Sequence, residues 1–557
     1  MSTQRRSYGF GTPDPSQMSF PQIPPHSGKL TTISEDGKSH RIPPRLTSIR
    51  IWVFVIFSSH VGEYHHLSYP NSNLIPKDYL NTTEDTPPPF DFCPIYGPGD
   101  VLAQKYGAHT LLKSKLHLGS GARVQKVIRK ALSGLPVTIS VLGGSISACH
   151  GAGNDPISPA CYPSRFFQWW NEVFPHPASE LTNGAVRRTN SAYFSFCHSH
   201  HIPDQSDLVI LDFDTDDPNE PEWMEYFELL VRSILIRPDS PAVVILGHFS
   251  PQLQTAHGFT GPEILHTVVA QYYDVPHISI KPALYSQRLA SPGSIDQYFV
   301  DPILANPAGH ELIADILISY FQSQICIGWA SATGTGFEVP TFPMGQSRGP
   351  PDSKGLLAGV GIRKGSPMEG GGLEKDQRED DNSKEAPFTS EFLPFRVPPV
   401  KMNMRPHELA DFREVKPWCV SANDLINPLP PSLFYGSGWH SYHPPKSATA
   451  GTNMHYWYST LPTSRLRVPM KMSSGDVAVY YWREEEGMES LSGVKCWVDD
   501  NVGGAVEIWN QDGSASGPTL KMIDHFVAAG SHFVQCELLG EEGRGVTPFK
   551  ILGIFST

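Results

Sequence analysis

The stretch VTISVLGGSISACHGAG, residues 137–153, runs an apolar segment into a glycine pair and then a serine. Val137, Ile139, Val141 and Leu142 suit a buried strand, Gly143 and Gly144 allow a sharp turn, and Ser145 falls at its tip. A serine so placed is either a nucleophile or the N-cap of a helix that starts there. Nucleophilic work needs a base within hydrogen-bond reach of the hydroxyl, itself held by a carboxylate. It also needs fixed N–H donors facing the developing negative charge. Carboxylates are dense in DLVILDFDTDDP (207–218), where Asp212, Asp214 and Asp216 alternate. On one strand face they could hold a hard cation. The other reading is an acidic loop leading to a helix capped by Asp217 ahead of Pro218. Histidines stand at His248 in VVILGHF, at His310 in DPILANPAGHELIAD (301–315), and in the run Cys197-His198-Ser199-His200-His201. That run resembles a metal cluster, but adjacent residues cannot all face one ion, so no metal is expected.

These residues need a frame. Between 122 and 326, apolar runs at 137–142, 207–213, 242–249 and 276–280 read as buried strands with helical stretches between them. EPEWMEYFELLVRSILIR places Trp223, Phe227, Leu230 and Ile234 on one helical face. AGHELIADILISYFQSQI does the same with Leu312, Ile316 and Tyr320. Alternation of this kind predicts an α/β fold, a parallel sheet covered on both sides. Ligands of such sheets lie beyond the carboxyl ends of the strands, where Ser145 and the aspartates after Phe213 both fall. The α/β domain is assigned to 121–330, after a lead-in segment at 61–120.

Residues 331–414 have no period and little apolar content, which predicts a disordered linker between two separately folded units. From 415 to 557 the chain turns aromatic and strand-like. DVAVYYW, GVKCWVDD, HFVQCELL and FKILGIF, parted by Gly, Asn and Asp turns, predict an antiparallel β-sandwich. Cys496 and Cys536 each fall mid-strand and are expected to form a bridge rather than a buried thiol pair. Trp418, Trp439, Tyr442, Tyr456, Trp457 and Tyr458 either stack on sugar rings or serve as core.

A net charge of −13 provides no basic face for nucleic acid. Residues 1–46 are polar and rich in Pro, Ser and Gly, and read as a disordered tail. Segment 47–60 follows, with Ile51–Phe57 as its apolar core and Arg45 and Arg50 before it. That core is shorter than the roughly 20 residues a spanning helix needs. It is either a buried strand or a shortened membrane anchor. Asn81 opens an NTT glycosylation triplet. Eight cysteines in 557 residues do not by count make a disulfide scaffold, so they leave the compartment open.

TNGAVRRTNS (182–191), DLVILDFDTDDP and DPILANPAGHELIAD follow the Gly-Gly-Ser turn in order. Together they resemble the serine, glycine, asparagine and histidine blocks of the SGNH (GDSL-like) hydrolase superfamily over roughly 122–326. The resemblance implies a three-layer, flavodoxin-like domain with Ser145 as nucleophile. It implies that the Ser145 N–H and Gly184 N–H bind the oxyanion, and that Asp301 orients a histidine. Two positions depart from the pattern. The oxyanion asparagine aligns with Asp216, whose carboxylate repels an oxyanion unless a raised pKa keeps it protonated. The usual Asp-x-x-His becomes Asp301-Pro302-Ile303-Leu304, and leucine cannot take a proton. His310 and His248 are the candidate substitutes.

GGSISACHGAG, CYPSRFFQWW, GHFSPQ, VAQYYDVPHIS and the aromatic C-terminal unit more narrowly resemble fungal capsule-associated-type proteins, from about residue 60 to the end. These are membrane-anchored or secreted SGNH-like chains, which implies a cell-surface polysaccharide context and the secretory pathway. The expectation is an ester hydrolase that acts without a cofactor on O-acyl groups of such a polysaccharide through Ser145. The alternative is a catalytically degraded SGNH fold that binds carbohydrate or assists polysaccharide assembly. A metal-assisted hydrolase using Asp214 and Asp216 is a more distant third.

Overall fold

A computed structural model describes residues 74–81, 89–334, 397–405, 412–424, 435–444, 454–485, 491–513 and 516–557. The tail at 1–46, the apolar segment 47–60 and most of 331–414 lie outside the described residues.

Strands β1 (Lys115–His117), β2 (Thr138–Gly143), β3 (Glu180–Asn183), β4 (Leu208–Asp212), β5 (Ala242–Gly247) and β6 (His277–Ser279) form one sheet in the order β1-β6-β5-β4-β2-β3. β2 to β6 are parallel to their neighbours, and β1 pairs antiparallel with β6. Leaving β1 aside, this is the flavodoxin order, with its switch point between β2 and β4. The central strands β2, β4 and β5 are near-continuous apolar runs because both faces are covered. Along β4, Leu208 and Ile210 enter a core built with helices Ala122–Leu132, Tyr162–Val173 and Pro307–Thr333. Val209 and Leu211 enter a second core, with helices Ser191–Cys197, Pro221–Leu235 and Pro262–Tyr272. Period-2 alternation of side chains makes the three layers. Helix Pro307–Thr333 is long and apolar enough to cross a membrane, yet most of it is buried in the first core.

The lead-in does not stand outside this domain. It contributes β1, and Cys93 is joined to Cys326 in the last helix by a disulfide. Pairing β1 against β6 covers the edge that a five-stranded sheet would leave open.

Strands β7 (Trp418–Ser421), β8 (Tyr435–Ser437), β9 (His440–Tyr442), β10 (Tyr456–Ser459), β11 (Arg465–Met472), β12 (Val477–Arg483), β13 (Gly493–Val498), β14 (Val506–Trp509), β15 (Gly517–Asp524), β16 (Gly530–Leu538) and β17 (Phe549–Ser556) form two antiparallel sheets. One runs β15-β12-β17-β10-β9 with β7 on β17, and the other runs β14-β13-β16-β11-β8. In β12, Val477, Val479 and Tyr481 point between the sheets, while Ala478 and Tyr480 point into the second core of the α/β domain. The sandwich therefore shares a core with its neighbour and is not a separate unit. Disulfide Cys197–Cys419 and a Tyr193–Ser421 hydroxyl pair at 2.8 Å cross the same junction.

Part of the expected linker is also fixed. Buried Arg232 donates to Pro398 O at 2.8 Å and Val400 O at 3.2 Å, and it pairs with Glu414 at 2.7 Å. A guanidinium out of water needs such acceptors, and an aperiodic segment can supply them from its backbone.

Candidate active site

Ser145 lies at the switch point, just past β2. No helix begins there. Residues 144–153 make tight turns, with the His150 N–H on Ser145 O at 3.0 Å, and the next helix starts at Tyr162. The N-cap reading is therefore not realised. Ser145 Oγ instead accepts from the Arg188 N–H at 3.0 Å. Arg188 has φ 54°, a left-handed conformation that non-glycine residues adopt at some energetic cost and often at functional sites. Disulfide Cys149–Cys161 closes the loop that follows the serine.

The Ser145 N–H faces Asp216 Oδ1 at 3.4 Å. A methyl group on Gly144 would overlap the Asp216 carboxylate, so glycine is what permits this approach. Asp216 Oδ2 is buried with no hydrogen-bond partner among the described residues. Burial, with Asp212 and Asp217 adding to it and His248 opposing, pushes the Asp216 pKa up to about 7. A protonated Asp216 carries an O–H beside the serine. It can donate to an oxyanion instead of repelling it.

Gly184 does not supply the second donor. Its N–H is held by Val141 O at 2.9 Å, and a side chain there would overlap the His201 carbonyl oxygen. Glycine is needed for that backbone approach, and the N–H facing the serine belongs to Arg188.

The base side is different. Asp301 is exposed, and its Oδ1 accepts from the Ile303 and Leu304 N–H groups at 2.8 and 2.7 Å. His310 is buried, its Nδ1 accepts from the Tyr162 N–H at 3.2 Å, and burial lowers its pKa to about 3. It is a structural histidine with its lone pair committed. His248 holds Asp212 Oδ1 through Nδ1 at 2.5 Å and the Thr215 hydroxyl through Nε2, so neither nitrogen serves Ser145. Asp212 Oδ2 accepts from Ser147 Oγ at 2.6 Å. His150, half-buried on the turn after Ser145, went unnoticed in the sequence because the Asp-x-x-His spacing directs attention elsewhere. Burial lowers its pKa, Arg187 and Arg188 add to this, and Asp301 acts in the opposite sense.

The alternating aspartates do not share a site. β4 ends at Asp212, and the chain then turns on Phe213 O, so the strand period stops. Asp214 meets His266 Nδ1 at 2.5 Å and His277 Nε2 at 3.2 Å, while Asp217 meets His266 Nε2 at 2.8 Å. Asp217 also accepts from the Ser191 N–H and caps no helix at Pro221. These two carboxylates, with burial working against them, raise the His266 pKa to about 9. Asp214, Glu263 and His277 bring potential ligand atoms within 4.8 Å of one another. Lys281 is already ion-paired with Glu263 there, and protonated His266 lies on Asp214, so cationic side chains meet the carboxylates.

In the histidine run, Cys197 is in a disulfide, His200 pairs with Asp424 and His201 with the Tyr193 hydroxyl, so each has its own partner. Cys496 and Cys536 are directly opposed on β13 and β16 and joined by a disulfide. Asn81 is exposed, while Thr82 and Thr83 lie outside the described residues. Of the sandwich aromatics, Trp457 is core and Trp418 and Trp439 lean on that core. Half-buried Tyr442 and Tyr456 stack at 4.5 Å, with Tyr458 beyond. Closer to the serine, the Arg188 guanidinium lies 5.7 Å from the ring centre of Trp482, the last aromatic of β12.

No protein-family model matches this chain, and no curated protein matches it. Among solved structures, it is similar to a two-domain esterase (CEX) active on acetylated mannans, co-crystallised with mannopentaose. The TM-score is 0.51 at 17% identity, over 80% of this chain and 98% of that one. A second structure of a two-domain esterase (CEX) active on acetylated mannans gives the same TM-score and coverage at 16% identity. At this identity the likeness is one of fold. The chain shares that two-part architecture, an α/β domain followed by a β-sandwich.

Proposed function

We propose that this chain is an SGNH-type carbohydrate esterase whose Ser145 attacks O-acyl groups of a cell-surface polysaccharide. One observation carries the reading. Ser145 Oγ sits on a backbone N–H at the sheet's switch point, beside the buried Asp216 carboxyl, whose pKa burial raises to about 7. Attack on an acetyl carbonyl places negative charge on its oxygen; protonated Asp216 is a donor for that charge, and the Ser145 N–H becomes one on leaving its long 3.4 Å contact with Asp216 Oδ1. The Arg188 N–H, released from Oγ as the new bond forms, is a third.

The fold shared with an acetylmannan esterase makes acetylated mannan the first substrate to try. Trp482 and the Tyr442–Tyr456 pair are ring faces of the kind that stack on sugars. Four disulfides support passage through the oxidising secretory pathway, as in the capsule-associated type. In that setting Ile51–Phe57 would be the anchor.

Leu304 favours a second reading, a degraded esterase that binds acylated glycan without turnover. Acetate release from acetylated mannan by the full chain and by Ser145→Ala separates the two. The esterase reading expects release that Ser145→Ala reduces to background. Equal release by both proteins would sink it, and mannan binding without release by either supports the second reading.

A further inference from the structure

We infer that His150 replaces the missing histidine as the general base for Ser145. The inference rests on the esterase reading of that serine. A base needs a ring nitrogen that is free to accept. His248 has both nitrogens engaged, His310 has committed its acceptor to Tyr162, and His266 and His277 are tied to the aspartates behind the sheet edge. His150 has no hydrogen bond on either ring nitrogen among the described residues and is partly open to solvent.

Its position is set by backbone. The His150 N–H closes a turn on Ser145 O at 3.0 Å, so the histidine is carried on the same turn as the nucleophile. Cys149, at φ 62°, is clamped to Cys161 just before it. Gly151, just after it, packs against the segment that should bear the family histidine. A methyl group there would overlap Ala305 O and lie 3.5 Å from Leu304 Cβ. The charged groups that act on the ring are Arg187, Asp301 and Arg188. Arg188 is the residue whose N–H holds Ser145 Oγ, and Asp301 is the family's orienting acid. The turn thus carries His150 on the nucleophile loop, and the charges acting on its ring include the residue that holds Ser145 Oγ and the acid at 301. Burial keeps that ring unprotonated at neutral pH, able to take a proton.

The step balances as acyl transfer. Oγ bonds to the acetyl carbon, its proton passes to His150, and the carbonyl electron pair moves to oxygen. Collapse expels the sugar oxygen, which takes the proton back from His150. Water then repeats the sequence on the acyl-serine, releasing acetate and restoring the serine hydroxyl.

The test is hydrolysis of 4-nitrophenyl acetate between pH 4.5 and 9 by the full chain, Ser145→Ala, His150→Asn and His150→Asn with Leu304→His. Unmodified chain should show a rising limb at a pH below the ordinary histidine value and a falling limb near 7 as Asp216 ionises. His150→Asn should lower the rate by about 10² to 10⁴-fold and abolish the rising limb. Leu304→His in that background should restore turnover, which also shows that the background folds. If His150→Asn keeps the rate and the rising limb while Ser145→Ala is silent, the inference fails and the esterase reading stands. If Ser145→Ala keeps the full rate, or the unmodified chain has none, both fail together.

Discussion

The two halves of the candidate site are held by different means. The nucleophile half, residues 143–145 with Arg188 and Asp216, stands on the ends of buried parallel strands. Close approaches there exclude any side chain at 144, and a disulfide closes the loop behind it. The base half, residues 299–305, is a surface loop closed by a Phe299–Ala305 bridge. Asp301 shapes it by accepting two N–H groups, and Pro302 O accepts from Gln252 N at 2.9 Å. None of these hydrogen bonds uses the side chain at 304. The first half resists drift because its geometry is also the fold's geometry. The second takes its shape from backbone contacts to Asp301 and Pro302, with Leu304 at its edge.

The largest effect expected from this difference concerns the disulfide. Cys149–Cys161 closes a short loop, sequence separation 12, against the nucleophile. Replacing both cysteines by alanine should lower unfolding stability by about 2–4 kcal/mol. Urea denaturation of oxidised wild type and the double variant measures it. A loss below about 1 kcal/mol would mean that the loop is held by packing alone, and the contrast between the halves would weaken.

A second effect concerns pH. Asp216 has a folded pKa of about 7 against an ordinary carboxylate value of 3.8. The folded state therefore holds a proton that the unfolded chain gives up between those values. Its stabilising contribution is complete below about 4 and is lost as pH rises through about 7. Asparagine cannot ionise, so Asp216→Asn should gain stability over wild type at pH 8 relative to pH 5. The same variant should lose the falling limb of the rate profile. Thermal melts at the two pH values suffice, and a pH-independent difference would place the Asp216 pKa near its ordinary value.

Sequence patterning carried the architecture because buried parallel strands must be continuous apolar runs. VTISVLG, DLVILD and AVVILG could hardly be anything else between amphipathic helices. The serine at a strand's carboxyl end was equally legible. What escaped was backbone. Arg188 donates through an N–H aimed by a positive φ, and its side chain carries no trace of that role. Gly184 misled for the same reason, since its missing side chain makes room for His201 O and not for a substrate. Cys93–Cys326 and Cys197–Cys419 span 233 and 222 residues, distances over which spacing says nothing about partners. Residues 397–403 looked like linker because their task is to offer carbonyls to Arg232, which leaves no period.

The smallest expected effect tests the comparison most directly. Leu304 is half-buried and only leans on the first core, while its N–H is fixed by Asp301. Leu304→His removes some apolar burial but disturbs none of the bonds that shape the loop. Unfolding stability should therefore change by less than about 1 kcal/mol, within the usual range for such peripheral sites. Asp301 Oδ1 is occupied by backbone, and its Oδ2 is the oxygen available to orient the new ring. Turnover should then rise even with His150 present, so activity and stability would part company at this position. A loss of 2 kcal/mol or more would show that leucine had become structural and that the base half had been rebuilt around it. In that case the loop's shape would depend on the side chain at 304, and the contrast between the two halves would fail.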